Sequence, residues 1–289
     1  MSSSPSYADF LTLTKPRLNF LVLLTTLAAY SLGSRPTSTI MELLHTLLGT
    51  ALVAGGASAL NQVWERDTDR LMRRTRRRPM PDLRLTPRAA TIFGLALTVV
   101  GAVELGVFVN TLSSIVALLT SASYVLFYTP LKVRTSLSTV AGALPGALPA
   151  VIGWTAATNT LSIEAWVLFA IVFMWQMPHF LAIAWMYRDE YANAGIRLLP
   201  VIEPDGRSTG RQAVLYASAL LPVSLMPSVV GLAGAWYFAG ALTLGVVLML
   251  LAVEFSSTRT VAAARRLFLG SILYLPILWA LLVGDHLTH

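Results

Sequence analysis

Asn61-Gln-Val-Trp-Glu65-Arg-Asp67-Thr-Asp69-Arg70, continued by Leu-Met-Arg73-Arg74-Thr-Arg76-Arg77-Arg78-Pro79, is the most polar stretch of the chain. It follows without a break on an apolar segment of membrane-crossing length. On a helix advancing about 100° per residue, Asn61, Glu65 and Asp69 stay within roughly 80° of one another and line one wall. Asp67 falls roughly 120° or more off that wall, with Arg66 and Arg70 beside it as surface partners. An amide and two carboxylates on one wall suit a hard divalent cation such as Mg²⁺, whose coordination is completed by water and substrate phosphate oxygens. The arginines that follow supply charge for pairing with phosphate. The stretch reads as a diphosphate site at the end of a membrane helix. The competing reading is an ordinary charged interfacial flank, and the even spacing of three donors, approached through Gly56, Ala57 and Ser58, counts against it.

The rest of the composition fits a membrane setting. Of 289 residues, 55% are hydrophobic and 12% charged, and mean hydropathy is +0.67, too apolar for a soluble domain of this size. The formal charge of +7 would suggest nucleic acid in a soluble chain, but here it is read against the spans, and no nucleic-acid partner is expected. With no cysteine, disulfides, thiolate metal sites and cysteine nucleophiles are excluded. The segment from Met1 to Thr14 contains Asp9 and does not read as a cleaved signal peptide.

Nine apolar segments are candidate spans, at approximately 18–34, 43–63, 88–109, 112–129, 137–157, 163–187, 211–231, 234–255 and 266–285. With the N-terminus cytoplasmic and the C-terminus external, 20 of the 21 basic residues fall on the cytoplasmic side and only Arg35 lies outside. The expectation is a multi-pass protein of the inner (plasma) membrane. It is an all-α, polytopic, single domain over 1–289, with a short cytoplasmic segment at about 1–17 and about nine helices around a central cavity open to the cytoplasm. The two longest connections, about 65–87 and 188–210, are both cytoplasmic and lie four spans apart. That spacing suggests two four-helix halves, each giving one polar loop to a shared cavity.

Three further constellations face the same side. Span six carries Trp175-Gln-Met-Pro178-His179-Phe180 and continues to Tyr187-Arg188-Asp189-Glu190-Tyr191. Pro178 would free backbone carbonyls beside His179. Continued helical spacing would bring Glu190 within about 20° of His179 and leave Asp189 roughly 80° away. A buried hydrogen-bonding histidine and an interfacial ion pair of Asp189 and Glu190 with Arg188 and Arg197 are the plainer alternatives. Span four ends in Tyr124, Phe127, Tyr128, Thr129 and Pro130, followed by Lys132 and Arg134. Its rings suit an isoprenoid or a cation and its two bases an anionic leaving group, or the set is an aromatic belt with flanking charges. Span five, with Gly142, Pro145, Gly146, Pro149 and Gly153, reads as a distorted cavity wall or as simple tight packing.

These blocks together resemble the UbiA superfamily of intramembrane prenyltransferases, whose first motif is Asn-x3-Asp-x3-Asp. Within it the chain is similar to the haem-farnesylating branch. The resemblance rests on Thr14-Lys-Pro-Arg17, Trp64-Glu-Arg-Asp-Thr-Asp69 through Met72-Arg-Arg-Thr75, and Tyr128-Thr-Pro-Leu-Lys132. It continues through Pro145-Gly-Ala-Leu-Pro149 to Gly153-Trp154, Trp175-Gln-Met-Pro-His-Phe180, and Ala194-Gly-Ile196 to Leu199-Pro200. Three departures stand out. Glu65 replaces the usual Asp, the second region is not Asp-x3-Asp, and Arg197 stands where proline is expected.

The resemblance implies transfer of farnesyl from farnesyl diphosphate to the vinyl group of haem b, with water addition, giving haem O and diphosphate. It implies Mg²⁺ at Asn61, Glu65 and Asp69, and phosphate clamps at Arg17, Arg73, Arg77, Lys132 and Arg134. Arg74, Arg76 and Arg78 are assigned to the anionic lipid surface. Tyr128, Trp175 and Tyr187 are expected at the prenyl or haem pocket, with His179, Asp189 and Glu190 as further catalytic candidates. His179 is assigned to the haem iron, a propionate or a water. Beyond farnesyl diphosphate, haem b and the lipid bilayer, the next haem-modifying enzyme or a terminal oxidase is an implied partner. The rivals are a quinone-type prenyltransferase, which predicts an Asp-rich second loop, and a transporter, which predicts ionisable residues at midplane in several spans.

Overall fold

The computed structural model describes residues 6–288, and among these every regular element is helical. A short helix α1 (Tyr7–Leu13) begins with a capping box in which Ser6 and Asp9 satisfy each other's backbone amides. Lys15 then adopts a left-handed conformation, φ 49°, and Pro16 starts α2 (Pro16–Gly33). The chain continues through α3 (Ile40–Arg70), α4 (Pro87–Phe108) and α5 (Thr111–Ala122). A π-helical turn at Ser123–Tyr128 leads into the single turn α6 (Thr129–Leu131). Then come α7 (Ser138–Thr158), α8 (Ile163–Met186), the short α9 (Arg188–Asn193) and α10 (Leu199–Ile202), and finally α11 (Arg207–Val229), α12 (Ala235–Thr258) and α13 (Val261–His286).

Eight of these segments are long and apolar enough to cross a membrane, namely α3, α4, residues 111–131, α7, α8, α11, α12 and α13. The first candidate span, α2, is an 18-residue helix whose start carries Arg17 and Asn19, and it packs in the bundle against α7 and α3. The protein is a multi-span integral membrane protein. Its large exposed side chains, such as Leu95, Val99, Phe127, Trp236 and Leu250, face the lipid.

The described contacts do not divide the spans four and four: α8, α11, α12 and α13 close a ring of four, but α7 completes a ring of five with α2, α3, α4 and α5. Helix α7 packs against α2 and α5 on one side and α8 on the other, while α11, α12 and α13 pack on around α8, and α13 returns to α2. Small residues give α7 this central place: Gly142 lies under the Tyr128 ring, Gly146 under Gln176 and Gly153 against the Thr26 carbonyl. The helix is not broken at Pro145 or Pro149. Thr26 donates to the Pro149 carbonyl (3.2 Å) and Gln176 to the Ala143 carbonyl (3.2 Å), tying α2 and α8 to it.

Helices α3 and α4 approach through paired glycines. A Cβ at Gly56 would stand 2.5 Å from the Gly94 carbonyl oxygen, and one at Gly101 would stand 2.7 Å from that of Gly49. In lipid, where no hydrophobic drive presses helices together, such close backbone contact carries the association. Gly56→Ala should therefore cost about 1–3 kcal/mol through overpacking. It is expected to lower the thermal midpoint in detergent, whereas Gly284→Ala, whose Cβ would meet nothing within 4 Å, should leave it unchanged.

Candidate active site

The helix wall read from the sequence exists, because α3 continues unbroken to Arg70 and carries all three residues on one helix. Asn61 is fully buried, Asp69 is 1% exposed and Glu65 is half-buried. Each binds a cation from a different segment. Asn61 Oδ1 accepts from Lys15 Nζ at 2.7 Å, and Asn61 Nδ2 donates to Thr129 Oγ1 at 3.0 Å. Glu65 Oε1 accepts from Lys132 Nζ at 2.6 Å, and Asp69 Oδ2 from Arg78 Nη1 at 2.7 Å. The wall is thus faced by two lysines and an arginine, an arrangement that matches a polyanion bridged to the carboxylates by a metal.

The electrostatics of the flanking lysines follow from this. Burial pushes the Lys15 ammonium down to about 8, with Glu65 pulling the other way. Burial acts on Lys132 too, but Glu65 and the Tyr128 and Tyr124 rings around it hold it well above its ordinary value. Lys132 Nζ also stands 4.7 Å from the Tyr128 ring centroid. The Tyr124 and Tyr128 rings lie 5.3 Å apart on the π-helical turn. Pro130 has no N–H to give the preceding turn, and the widened turn is closed by the Thr129 amide donating to the Tyr124 carbonyl.

Three connections close over this wall. The turns between α3 and α4 fold back so that Thr75 Oγ1 reaches the Asp69 carbonyl (2.8 Å), with Met80 and Leu85 buried beside Leu13 and Ala59. Arg84 of the same connection pairs with buried Asp9 of α1. Met72 packs with Ala194 and Ile196 of the connection after α9, and Arg74 donates to the Tyr191 hydroxyl (3.2 Å). The Arg197 amide donates to the Lys132 carbonyl at 3.0 Å. Proline, which the sequence pattern leads one to expect there, has no hydrogen to make that bond.

The other predicted residues are dispersed. Lys132 and Arg134 line one pocket with Glu65, Thr129 and Ile196. Arg17, Arg73 and Arg77 are exposed, and no side-chain bond ties them to the α3 wall. The cations bonded to the wall beside Lys132 are Lys15 and Arg78, which the sequence reading did not place there; Arg78 turns inward to Asp69 instead of facing lipid headgroups. The predicted approach of Glu190 to His179 is not formed. Although α8 runs straight through Pro178, it ends at Met186, and Tyr187 (φ −115°, ψ 20°) breaks the register before α9. Asp189 lies exposed, 3.8 Å from Arg188, and Glu190 sits on the short α9. Trp175 is buried and Tyr187 is exposed with Arg74 5.3 Å over its ring. His179 belongs to a separate cluster with Trp175, Ser271 and Phe268.

A largely apolar cavity of about 100 Å³ adjoins the wall, lined by Val22, Ala57, Tyr124, Gly146, Pro149 and Ile152 among others. It begins one helical turn from Asn61 on α3 and one from Tyr128 on the π-helical segment. A polar, cation-lined end and an apolar pocket therefore meet at the same place, as an amphipathic substrate requires.

A model of the UbiA prenyltransferase family matches residues 22–281. A protoheme IX farnesyltransferase of Solibacter usitatus (strain Ellin6076) is 47% identical over 286 residues, covering 96% of this chain and 98% of that one. Among solved structures, one described for digeranylgeranylglyceryl phosphate synthase superposes with a TM-score of 0.82 at 14% identity, covering 98% of this chain and 99% of that one. A UbiA homolog from Archaeoglobus fulgidus, solved bound to GPP and Mg2+, superposes with a TM-score of 0.70 at 16% identity, covering 95% of this chain and 99% of that one.

Proposed function

The chain belongs to the UbiA prenyltransferase family, and on that premise we propose that it farnesylates haem b, forming haem O and diphosphate. The observation that carries the reading is the wall of Asn61, Glu65 and Asp69, each donor already facing a cation, at the mouth of an apolar cavity. The Solibacter relative's name supplies the acceptor and donor, and the Archaeoglobus homolog supplies the precedent for a prenyl diphosphate with Mg²⁺. Asn61, Glu65 and Asp69 fit that ion, being hard oxygen donors on one wall that is faced by the cations of Lys15, Lys132 and Arg78, which suit phosphate oxygens. When bound, Mg²⁺ supplies neutralisation of charge on the departing diphosphate.

The chain's own residues do the rest. Lys15, Arg78 and Lys132 pair with phosphate oxygens, with Arg134 at the rim of the same pocket. The farnesyl C–O bond breaks with its electron pair leaving on diphosphate. Tyr124 and Tyr128 offer ring faces to the delocalised allylic cation, and the apolar cavity keeps water from it. The haem vinyl π electrons form the new C–C bond, and the resulting benzylic-type cation takes up water and loses a proton, giving the hydroxyethylfarnesyl side chain. The whole of 1–289 acts as one domain, in the inner membrane with its N-terminus cytoplasmic, as the distribution of basic residues favours. Its product passes to a further haem-modifying enzyme or a terminal oxidase.

The test is an assay of protein reconstituted in lipid with haem b, farnesyl diphosphate and Mg²⁺, with mass spectrometry of the extracted porphyrins. Haem O formed only with metal present is the expected result. Prenylation of an aromatic acid while haem b stays unchanged would retain prenyl transfer and overturn the haem acceptor.

A further inference from the structure

Outside the α3 wall, the most organised polar cluster lies between α8 and α13. Ser271 of α13 is fully buried and anchors two rings of α8 at once. Trp175 Nε1 donates to the Ser271 carbonyl at 2.7 Å, and His179 Nδ1 lies 2.8 Å from Ser271 Oγ. The two rings, one helical turn apart, stack with centroids 5.2 Å apart, and Phe268 lies 5.0 Å from the imidazole on the other helix.

The hydrogens in this cluster can be assigned by counting. Ser271 Oγ has one hydrogen and lies 2.7 Å from the Phe268 carbonyl oxygen. If that hydrogen pointed to His179 Nδ1, two oxygens would face each other at 2.7 Å with no proton between them. The hydroxyl therefore donates to Phe268 and accepts from the imidazole, so that Nδ1 carries the proton and Nε2 carries the lone pair. Among the described residues Nε2 has no hydrogen-bond partner, and it is not among the sealed-off polar atoms. A half-buried imidazole with one nitrogen tied and the other open is how histidines are prepared for metals, the tied N–H fixing tautomer and ring orientation.

Such an imidazole cannot donate to a carboxylate through Nε2, which argues against a propionate partner. The electron-pair acceptor that a haem offers is its iron. We propose that Ser271 is a positioning residue that fixes His179 as its Nδ1–H tautomer, so that Nε2 serves as an axial ligand to the iron of the porphyrin acceptor. This rests on the reading of haem b as acceptor.

The test titrates ferric haem b into the full-length protein in lipid nanodiscs and follows absorption and electron paramagnetic resonance. Diphosphate binding in the same samples checks that each variant is folded. Wild type should show nitrogen ligation, His179→Ala should lose that signature, and added imidazole should restore it. Ser271→Ala keeps the carbonyl that holds Trp175 and removes only the hydroxyl. It should weaken haem affinity about tenfold and alter the iron spectrum. Haem binding with a spectrum and affinity indifferent to both substitutions overturns the proposal while leaving haem as acceptor. A folded wild type that takes up no haem overturns the acceptor reading, and the proposal with it.

Discussion

Asp69→Ala is expected to lower kcat/KM for prenyl transfer by about a thousandfold, the largest effect of any single substitution in the molecule. Asp69 is almost wholly buried at the end of α3, and its carboxylate faces Arg78 at 2.7 Å. Removing it takes away a donor to the metal and also releases the arginine that should meet the diphosphate. Arg78 keeps 28% of its side chain exposed, so it can turn to water and the fold should survive. Asp69→Asn retains an oxygen donor without the charge and should fall between wild type and alanine. Steady-state diphosphate release, with thermal midpoints measured alongside, separates catalysis from stability. A variant that stays folded and retains a tenth or more of wild-type kcat/KM would remove Asp69 from the machinery.

The second large effect concerns the order in which ligands are taken up. Every donor on the wall is already engaged with Lys15, Lys132 or Arg78, so a lone metal ion must displace a cation and forfeit its pairing with the wall. A diphosphate gives those cations a new partner. Mg²⁺ should consequently bind about a hundredfold more tightly with inorganic diphosphate present than without it, and diphosphate should gain equally from Mg²⁺. Lys132→Ala should break this pattern. It frees Glu65, so affinity for Mg²⁺ alone rises while affinity for diphosphate falls. Isothermal titration of each ligand in the presence and absence of the other reads both outcomes, and equal Mg²⁺ affinity under the two conditions would refute the exchange.

Legibility from sequence followed the range of the physics involved. The spacing Asn61, Glu65, Asp69 could be read because a single unbroken helix carries it, and helix periodicity is local. Lys15 was passed over because its contact with Asn61 spans 46 positions, and the left-handed turn before Pro16 decides where its side chain goes. Arg78 was hidden in a run of arginines. The run lies beyond the end of α3, where buried Thr75 and Met80 fold the chain back and no period distinguishes an inward arginine from an outward one. The same limit misled the reading of Glu190, since the eleven-residue spacing from His179 assumes a helix that Tyr187 interrupts. The all-helical, multi-span plan needed only the distribution of apolar residues; among the described residues eight of the nine expected spans are long and apolar enough to cross a membrane, and α2, whose start carries Arg17 and Asn19, is the ninth helix of the bundle.

The length of α3 has a consequence for what leaves the enzyme and where. Its 31 residues rise about 46 Å, while the hydrocarbon core of a bilayer is about 30 Å thick, so a helix that enters the oil at Ile40 is through it by about Asn61, and Asp69 stands about 12 Å further on, beneath the connection that folds back over it. A reaction held at that depth sorts its own products by solubility. The charged fragment is released on the wet side of the boundary, and the greasy conjugate is left on the other. Two immiscible solvents thereby separate what the active site has cut apart, and the back reaction loses one of its reactants to dilution.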